Sequence, residues 1–111
     1  MKFLSTSLSL RDEFVSRRRY LVAYDIRDET RLRRVHKAIK GFGYPLQYSV
    51  FICDLDSMEK CVMTWKVGEI INQRVDSVAI LDLGECDRRG TECFEFLGKH
   101  LRLPNQEPRI L

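Results

Sequence analysis

The chain has 111 residues, of which 44% are hydrophobic and 32% charged. That length favours one domain, and that composition belongs to a folded globular protein, not to a disordered one. No uncharged apolar run of about 18 residues occurs, which excludes a membrane-spanning helix, and a net charge of +3 does not by itself indicate a nucleic-acid partner.

The cysteines, Cys53, Cys61, Cys86 and Cys93, form no Cys-x-x-Cys pair, and His36 and His100 are the only histidines, so a closed zinc site is not expected. Free thiols in apolar stretches behave as small hydrophobes, and a reduced, cytoplasmic protein is expected. The opening Met1–Leu10 is interrupted by hydroxyls and runs into Arg11-Asp12-Glu13 with no small-x-small site after it, so no export leader is expected.

Residues 1–19 show no strand alternation and end in Arg17-Arg18-Arg19. They read as an extension ahead of the domain, either a short helix around Leu10–Val15 or a mobile arm. Tyr20–Ile26 is a near-continuous apolar run with one acid, Asp25, set inside it, which suits a central strand buried on both faces. Asp28 is a plausible N-cap, and Leu32, Val35, Ile39 and Phe42 recur at helical spacing to make one apolar stripe. Gly41 and Gly43 mark the end of that helix, with Pro45 beyond. Leu46–Leu55 reads as extended, either one long strand or two short ones with a kink.

Asp56 and Glu59 are spaced as a capping box for a second helix that runs to about Asn72. Met58, Val62 and Trp65 lie on one side of it, and Met63, Val67, Ile70 and Ile71 on another, which predicts a sheet contact plus a second contact. Asp76–Leu83 is the next strand. Residues 90–100 are read as a short helix, and Pro104 and Pro108 bracket a linker before Arg109-Ile110-Leu111. Helices alternating with strands in this order predict an α+β sandwich, with both helices on one face of a small antiparallel sheet, as in ferredoxin-like domains. The other sheet face is apolar too, and a second copy of the chain is its simplest cover.

Two features bear on chemistry. Asp25 is a carboxylate in an apolar strand, where it is costly unless paired, hydrogen-bonded or bound to a metal; it either caps the next turn or pairs with a nearby arginine, or it is functional. Between Arg27 and Lys40 stand six basic residues, Arg27, Arg31, Arg33, Arg34, Lys37 and Lys40, against Asp28 and Glu29. Opposite the apolar stripe they make a positive face, which with Arg17–Arg19 would track a phosphate backbone, or a plain solvated face. Tyr24, Tyr48 and Phe51 read as packing residues, Ser49 as a satisfied polar group and His36 as structural. No glycine-rich phosphate loop and no nucleophile–base pair is discernible.

The run Tyr20-Leu-Val-Ala-Tyr-Asp-Ile-Arg-Asp, the arginine-rich helix, Gly43 and Gln47-Tyr48-Ser49-Val50-Phe51 resemble the CRISPR-associated Cas-two family, over about residues 20–83. The resemblance implies a βαββαβ ferredoxin-like core over 20–83 that forms a homodimer through the sheet, with 1–19 an addition and 84–111 a variable segment ending in a terminal strand. It implies a divalent ion, Mg2+ or Mn2+, shared between Asp25 of the two subunits, and a metal-dependent endonuclease acting on RNA or double-stranded DNA. Arg27, Arg31, Arg33, Arg34 and Lys37 would bind nucleic acid, with Tyr24, Ser49 and Phe51 supporting the cleft. It further implies a role in CRISPR adaptation beside the integrase. The alternatives are a non-catalytic DNA-binding scaffold of the integrase complex, or a toxin-type messenger ribonuclease of the same fold. Leu32 stands where the family carries another basic residue.

Overall fold

The computed structural model describes residues 16–99. Its elements are β1 (Arg18–Asp25), α1 (Glu29–Lys40), β2 (Tyr44–Gln47), β3 (Val50–Leu55), α2 (Ser57–Ile70), β4 (Ser77–Glu85) and α3 (Arg89–Glu92). The four strands form one sheet in the order β2-β3-β1-β4, and every neighbouring pair is antiparallel. This is the ferredoxin-like arrangement that the order of elements predicts.

Alternation along the strands divides the sheet into two faces. Tyr20, Val22 and Tyr24 of β1 and Phe51, Cys53 and Leu55 of β3 point to one face. There they meet Val35 and Ile39 of α1 and Met63 and Val67 of α2 in a single core. The two long helices, α1 and α2, each begin at a capping aspartate: Asp28 accepts from the Arg31 backbone N–H at 2.9 Å, and Asp56 and Glu59 form a reciprocal capping box. Burial in this core pushes the Cys53 thiol up to about 12, so it packs as an apolar group. On the other face stand Leu21 and Ala23 of β1, Val50 and Ile52 of β3, and Ala79 and Leu81 of β4. Leu81 is exposed within the protomer.

The structure differs from the sequence reading at the start of β1 and in the third helix, and it decides between the two readings of Leu46–Leu55. β1 starts at Arg18, not Tyr20, because the arginines of the triplet have acidic partners across the fold. Arg17 meets Glu59 at 2.8 Å, Arg18 meets Asp82 at 2.9 Å, and Arg19 meets Asp54 at 2.8 Å. They are therefore part of the domain and are neutralised within it. Of the two readings of Leu46–Leu55, the structure has two short strands: β2 folds back on β3 through Tyr48-Ser49 and pairs Tyr44 with Ile52. The third helix is a single turn, shorter than the predicted 90–100. Met58, Val62 and Trp65, the second apolar side of α2, are exposed in the protomer. The predicted Leu10–Val15 helix and the terminal strand lie outside the described residues.

Two glycines are dictated by close approach. A Cβ at Gly43 would lie against the Ile52 carbonyl oxygen and 2.6 Å from Cys53 Sγ, so only glycine lets β2 enter beside β3. At Gly90 a Cβ would stand 2.9 Å from the Arg19 Cβ, and its absence lets α3 close over Arg19.

Candidate nucleic-acid interface

The site is built around the C-terminal end of β1, where the chain turns into α1. Alternation sends Tyr24 inward and Asp25 outward. Tyr24 is buried and held on three sides. Its hydroxyl is 2.9 Å from His36 Nδ1, its ring stacks on Phe51 with centroids 6.3 Å apart, and its backbone N–H donates to the Ser49 carbonyl at 3.1 Å. His36 packs edge-on against Phe51 at 5.2 Å. Tyr24, His36 and Phe51 thus tie β1, α1 and β3 together directly behind Asp25. Since Tyr24 is 6% exposed and Phe51 0%, neither presents a ring face to solvent in the protomer. Tyr48, expected to pack, is instead 82% exposed on the hairpin turn.

Asp25 closes β1 opposite Ser77 of β4. Its side chain is 74% exposed, with Arg27 3.7 Å away and itself largely in solvent. The arginine pairing proposed as a structural role is therefore present, but an exposed pair of this kind contributes little. The burial penalty inferred from the strand pattern does not act on Asp25 within one protomer, because β1 ends there. Asp25 is an accessible carboxylate at the rim of the apolar outward face.

The acid that is buried is Asp76, which the sequence reading took only as the start of a strand. Its carboxylate accepts from the Arg31 Nε at 2.7 Å, the Arg27 backbone N–H at 2.9 Å and the Asn72 backbone N–H at 2.8 Å. The Arg31 guanidinium, helped by the two backbone donors, holds this carboxyl well below the usual carboxylate range against the opposing effect of desolvation. Asp76 thereby fixes the β1–α1 turn against the start of β4 and sets the direction in which Asp25 and Arg27 project. The local sequence does not signal this, because two of its three partners, the Arg31 side chain and the Arg27 backbone amide, stand more than forty residues upstream.

The predicted basic residues fall into two groups. Arg31 is turned toward Asp76 and is three-quarters covered. Arg27 is exposed in the turn before α1, and Arg33, Arg34 and Lys37 are exposed along it, with Arg33 reaching Glu29 at 3.5 Å. Ser49 lies in the hairpin turn beside the backbone of Tyr24. Among the described residues no group of three His, Cys, Asp or Glu side chains is placed to hold a metal ion, and within one protomer Asp25 stands as an exposed carboxylate at this end of the sheet. Mg2+ is commonly bound by one or two carboxylates with water and phosphate oxygens completing its shell, and a pair of Asp25 side chains from two copies fits that donor set.

Fold and site together define a ferredoxin-like α+β domain with an exposed carboxylate at the end of its central strand and a basic helix following it. Residues 18–90 match the family described as CRISPR associated protein Cas2. Over 68 residues the chain is 47% identical to a CRISPR-associated endoribonuclease Cas2 of Geobacter sulfurreducens, covering 61% of this chain and 72% of that relative. It is also 47% identical over 64 residues to CRISPR-associated endoribonuclease Cas2 2 of Thermodesulfovibrio yellowstonii, covering 58% of this chain and 70% of the relative. Among solved structures, Streptococcus pyogenes Cas2 at pH 6.5 superposes with a TM-score of 0.63 at 30% identity, over 72% of this chain and 99% of that one. The chain belongs to the CRISPR associated protein Cas2 family.

Proposed function

We propose that two copies of this protein pack their outward sheet faces together and act as a metal-dependent endonuclease that partners the integrase in CRISPR adaptation. The observation that carries this reading is the position of Asp25, exposed at the rim of an apolar sheet face and followed by the basic surface of α1. Leu21, Ala23, Val50, Ala79 and Leu81 supply that face, and covering it brings the Asp25 carboxylate of each copy to a common cleft. Two carboxylates brought together repel, and a shared Mg2+ or Mn2+ removes the repulsion. A divalent cation bound by this pair supplies Lewis-acid activation of water and charge neutralisation at a phosphodiester.

The chain's own residues do the rest. Arg27 flanks the carboxylate in an exposed pair and turns from it to a phosphate oxygen, while Arg33, Arg34 and Lys37 hold the backbone beyond it without reading bases. Asp76 and Arg31 keep the turn that presents Asp25, and Tyr24 and Phe51, with Ser49 behind them, keep the strand end in place. The names of the relatives, endoribonucleases among them, support nuclease chemistry on nucleic acid. Free thiols at Cys53, Cys61, Cys86 and Cys93 suit a reducing cytoplasm.

A second reading, a non-catalytic scaffold for duplex DNA, is favoured by the basic residues of α1, which bind phosphates with or without Asp25. One experiment separates the two. Labelled RNA and duplex DNA are incubated with wild type and Asp25→Asn, each with Mg2+, with Mn2+ and with chelator. Cutting that needs metal and disappears in Asp25→Asn is the expected result and names the substrate. Equal binding of duplex DNA by both proteins with no cutting by either assigns the scaffold role instead.

A further inference from the structure

We infer that the groove between α1 and α2 is a second phosphodiester-binding site, in which Lys66 of α2 joins Arg34 and Lys37 of α1. This inference rests on the nucleic-acid-binding reading above and extends it to the helical layer and to a residue outside the arginine-rich helix.

The groove arises because α1 and α2 lie side by side on the same sheet face. It holds about 520 Å³ and is lined by Arg34, Lys37, Ala38, Gly41, Phe42 and Lys66. Its three cations are exposed, and no carboxylate lines it. Most arginines of the described residues are paired with acids: Arg17, Arg18, Arg19, Arg27, Arg31, Arg33 and Arg88 each have a carboxylate within 4.0 Å. Arg34, Lys37 and Lys66 have no such ion pair among the described residues. Lys66 is not loose, however. Its ammonium sits 5.6 Å from the centroid of the Phe42 ring, an interaction that orients the cation without neutralising it.

The contrast with the neighbouring concavity is informative. On the other side of Gly41, Arg17 and Lys40 line a hollow together with Asp54 and Glu59, and Arg17 is already bonded to Glu59. That hollow is neutralised internally, whereas the α1–α2 groove gathers like charges that repel until an anion enters. A phosphate backbone supplies that anion at repeated intervals. With a rise of about 1.5 Å per residue, Arg34 and Lys37 lie one to two turns further along α1 than its start near Asp25. The groove therefore holds backbone flanking the Asp25 end and has no part in the reacting centre.

The test uses the full chain and the variants Lys66→Gln and Lys60→Gln, with binding to duplex DNA followed by fluorescence anisotropy across a salt series. Lys60 is on the same helix but stands over the Tyr20 ring, outside the groove. Each phosphate contact contributes about −0.9 to the slope of log affinity against log salt for duplex DNA. The expected result is a slope about 0.9 shallower for Lys66→Gln, equal on unrelated sequences, with Lys60→Gln like wild type and unchanged melting temperatures. A wild-type slope in Lys66→Gln overturns the groove while leaving nucleic-acid binding intact. Equal losses in both lysine variants also overturn it, because net charge and not the groove would then be responsible. If wild type binds neither duplex DNA nor RNA, the nucleic-acid reading fails and the groove with it.

Discussion

Replacing Asp54 by alanine is expected to destabilise the domain more than any change at the exposed basic face. Arg19 has 0% exposure, and its guanidinium forms a bidentate pair with Asp54, Nε to Oδ1 at 2.8 Å and Nη2 to Oδ2 at 2.9 Å. Its remaining nitrogen, Nη1, donates to the Gly90 carbonyl at 3.0 Å under the closing turn of α3. In Asp54→Ala the cation stays enclosed by α3 and the sheet but loses the carboxylate facing it. Removing one partner of a buried ion pair costs about 3–5 kcal/mol. For a domain of this size each kcal/mol lowers Tm by about 4–8 °C, so the variant is expected to melt at least ~12 °C below wild type. Urea unfolding followed by circular dichroism at one fixed protein concentration measures the loss free of any dimer contribution that varies with concentration. The double variant Arg19→Met with Asp54→Leu removes both charges and is expected to recover most of the loss, since desolvation offsets much of the attraction in a buried pair. A loss below about 1 kcal/mol in Asp54→Ala, the range of an exposed pair, would show that the guanidinium reaches water and would refute its burial.

Gly43→Ala places a methyl group against the backbone of Ile52 and Cys53, which cannot move without parting β2 from β3. The expected loss is about 1–3 kcal/mol, whereas Gly41→Ala, whose Cβ would meet only Ala38 at 3.4 Å, should be near neutral; thermal denaturation of the pair decides. Asp76 has a folded pKa held below its unfolded value of about 3.9. Its stabilising contribution is therefore complete above that unfolded value and is lost as pH falls through the folded one. Wild type is expected to be more stable than Asp76→Asn at pH 6, with the difference shrinking steadily as pH falls below about 4. A difference that stays constant over that range would mean that the Asp76 carboxyl is not depressed in the folded state.

The helices were legible because their signals are local. The spacing of Leu32, Val35 and Ile39 and the caps at Asp28 and Asp56 act within a few residues of one another, and each cap is observed with its expected bond. The choice between one strand and a hairpin was not, since Leu46–Leu55 carries β-forming residues on both sides of Tyr48-Ser49 and no glycine or asparagine marks the turn. Only pairing with β3 breaks the run in two. The pairing of the arginine triplet is invisible in the sequence, where it ends an extension and adds to the positive face, because its acids stand 35 to 64 residues away. Asp25, a carboxylate set inside an apolar run by the sequence pattern, escapes the expected burial cost in the protomer, since β1 stops at that residue and leaves it in solvent.

The sequence by itself determined the two long helices and the strands that flank them, that both of these helices share a sheet face, and that α1 carries an excess of positive charge. Periodicity, capping and composition are properties of neighbours along the chain, and a reading of neighbours recovers them. Only the tertiary structure decided which charges are spent inside the fold and which remain available. It buried Asp76 and Arg19, left Asp25 at the rim, and set Lys66 beside Arg34 and Lys37. A charge is neutralised by whatever the fold brings within a few ångströms of it, and that distance is fixed by the packing of elements far apart in the chain.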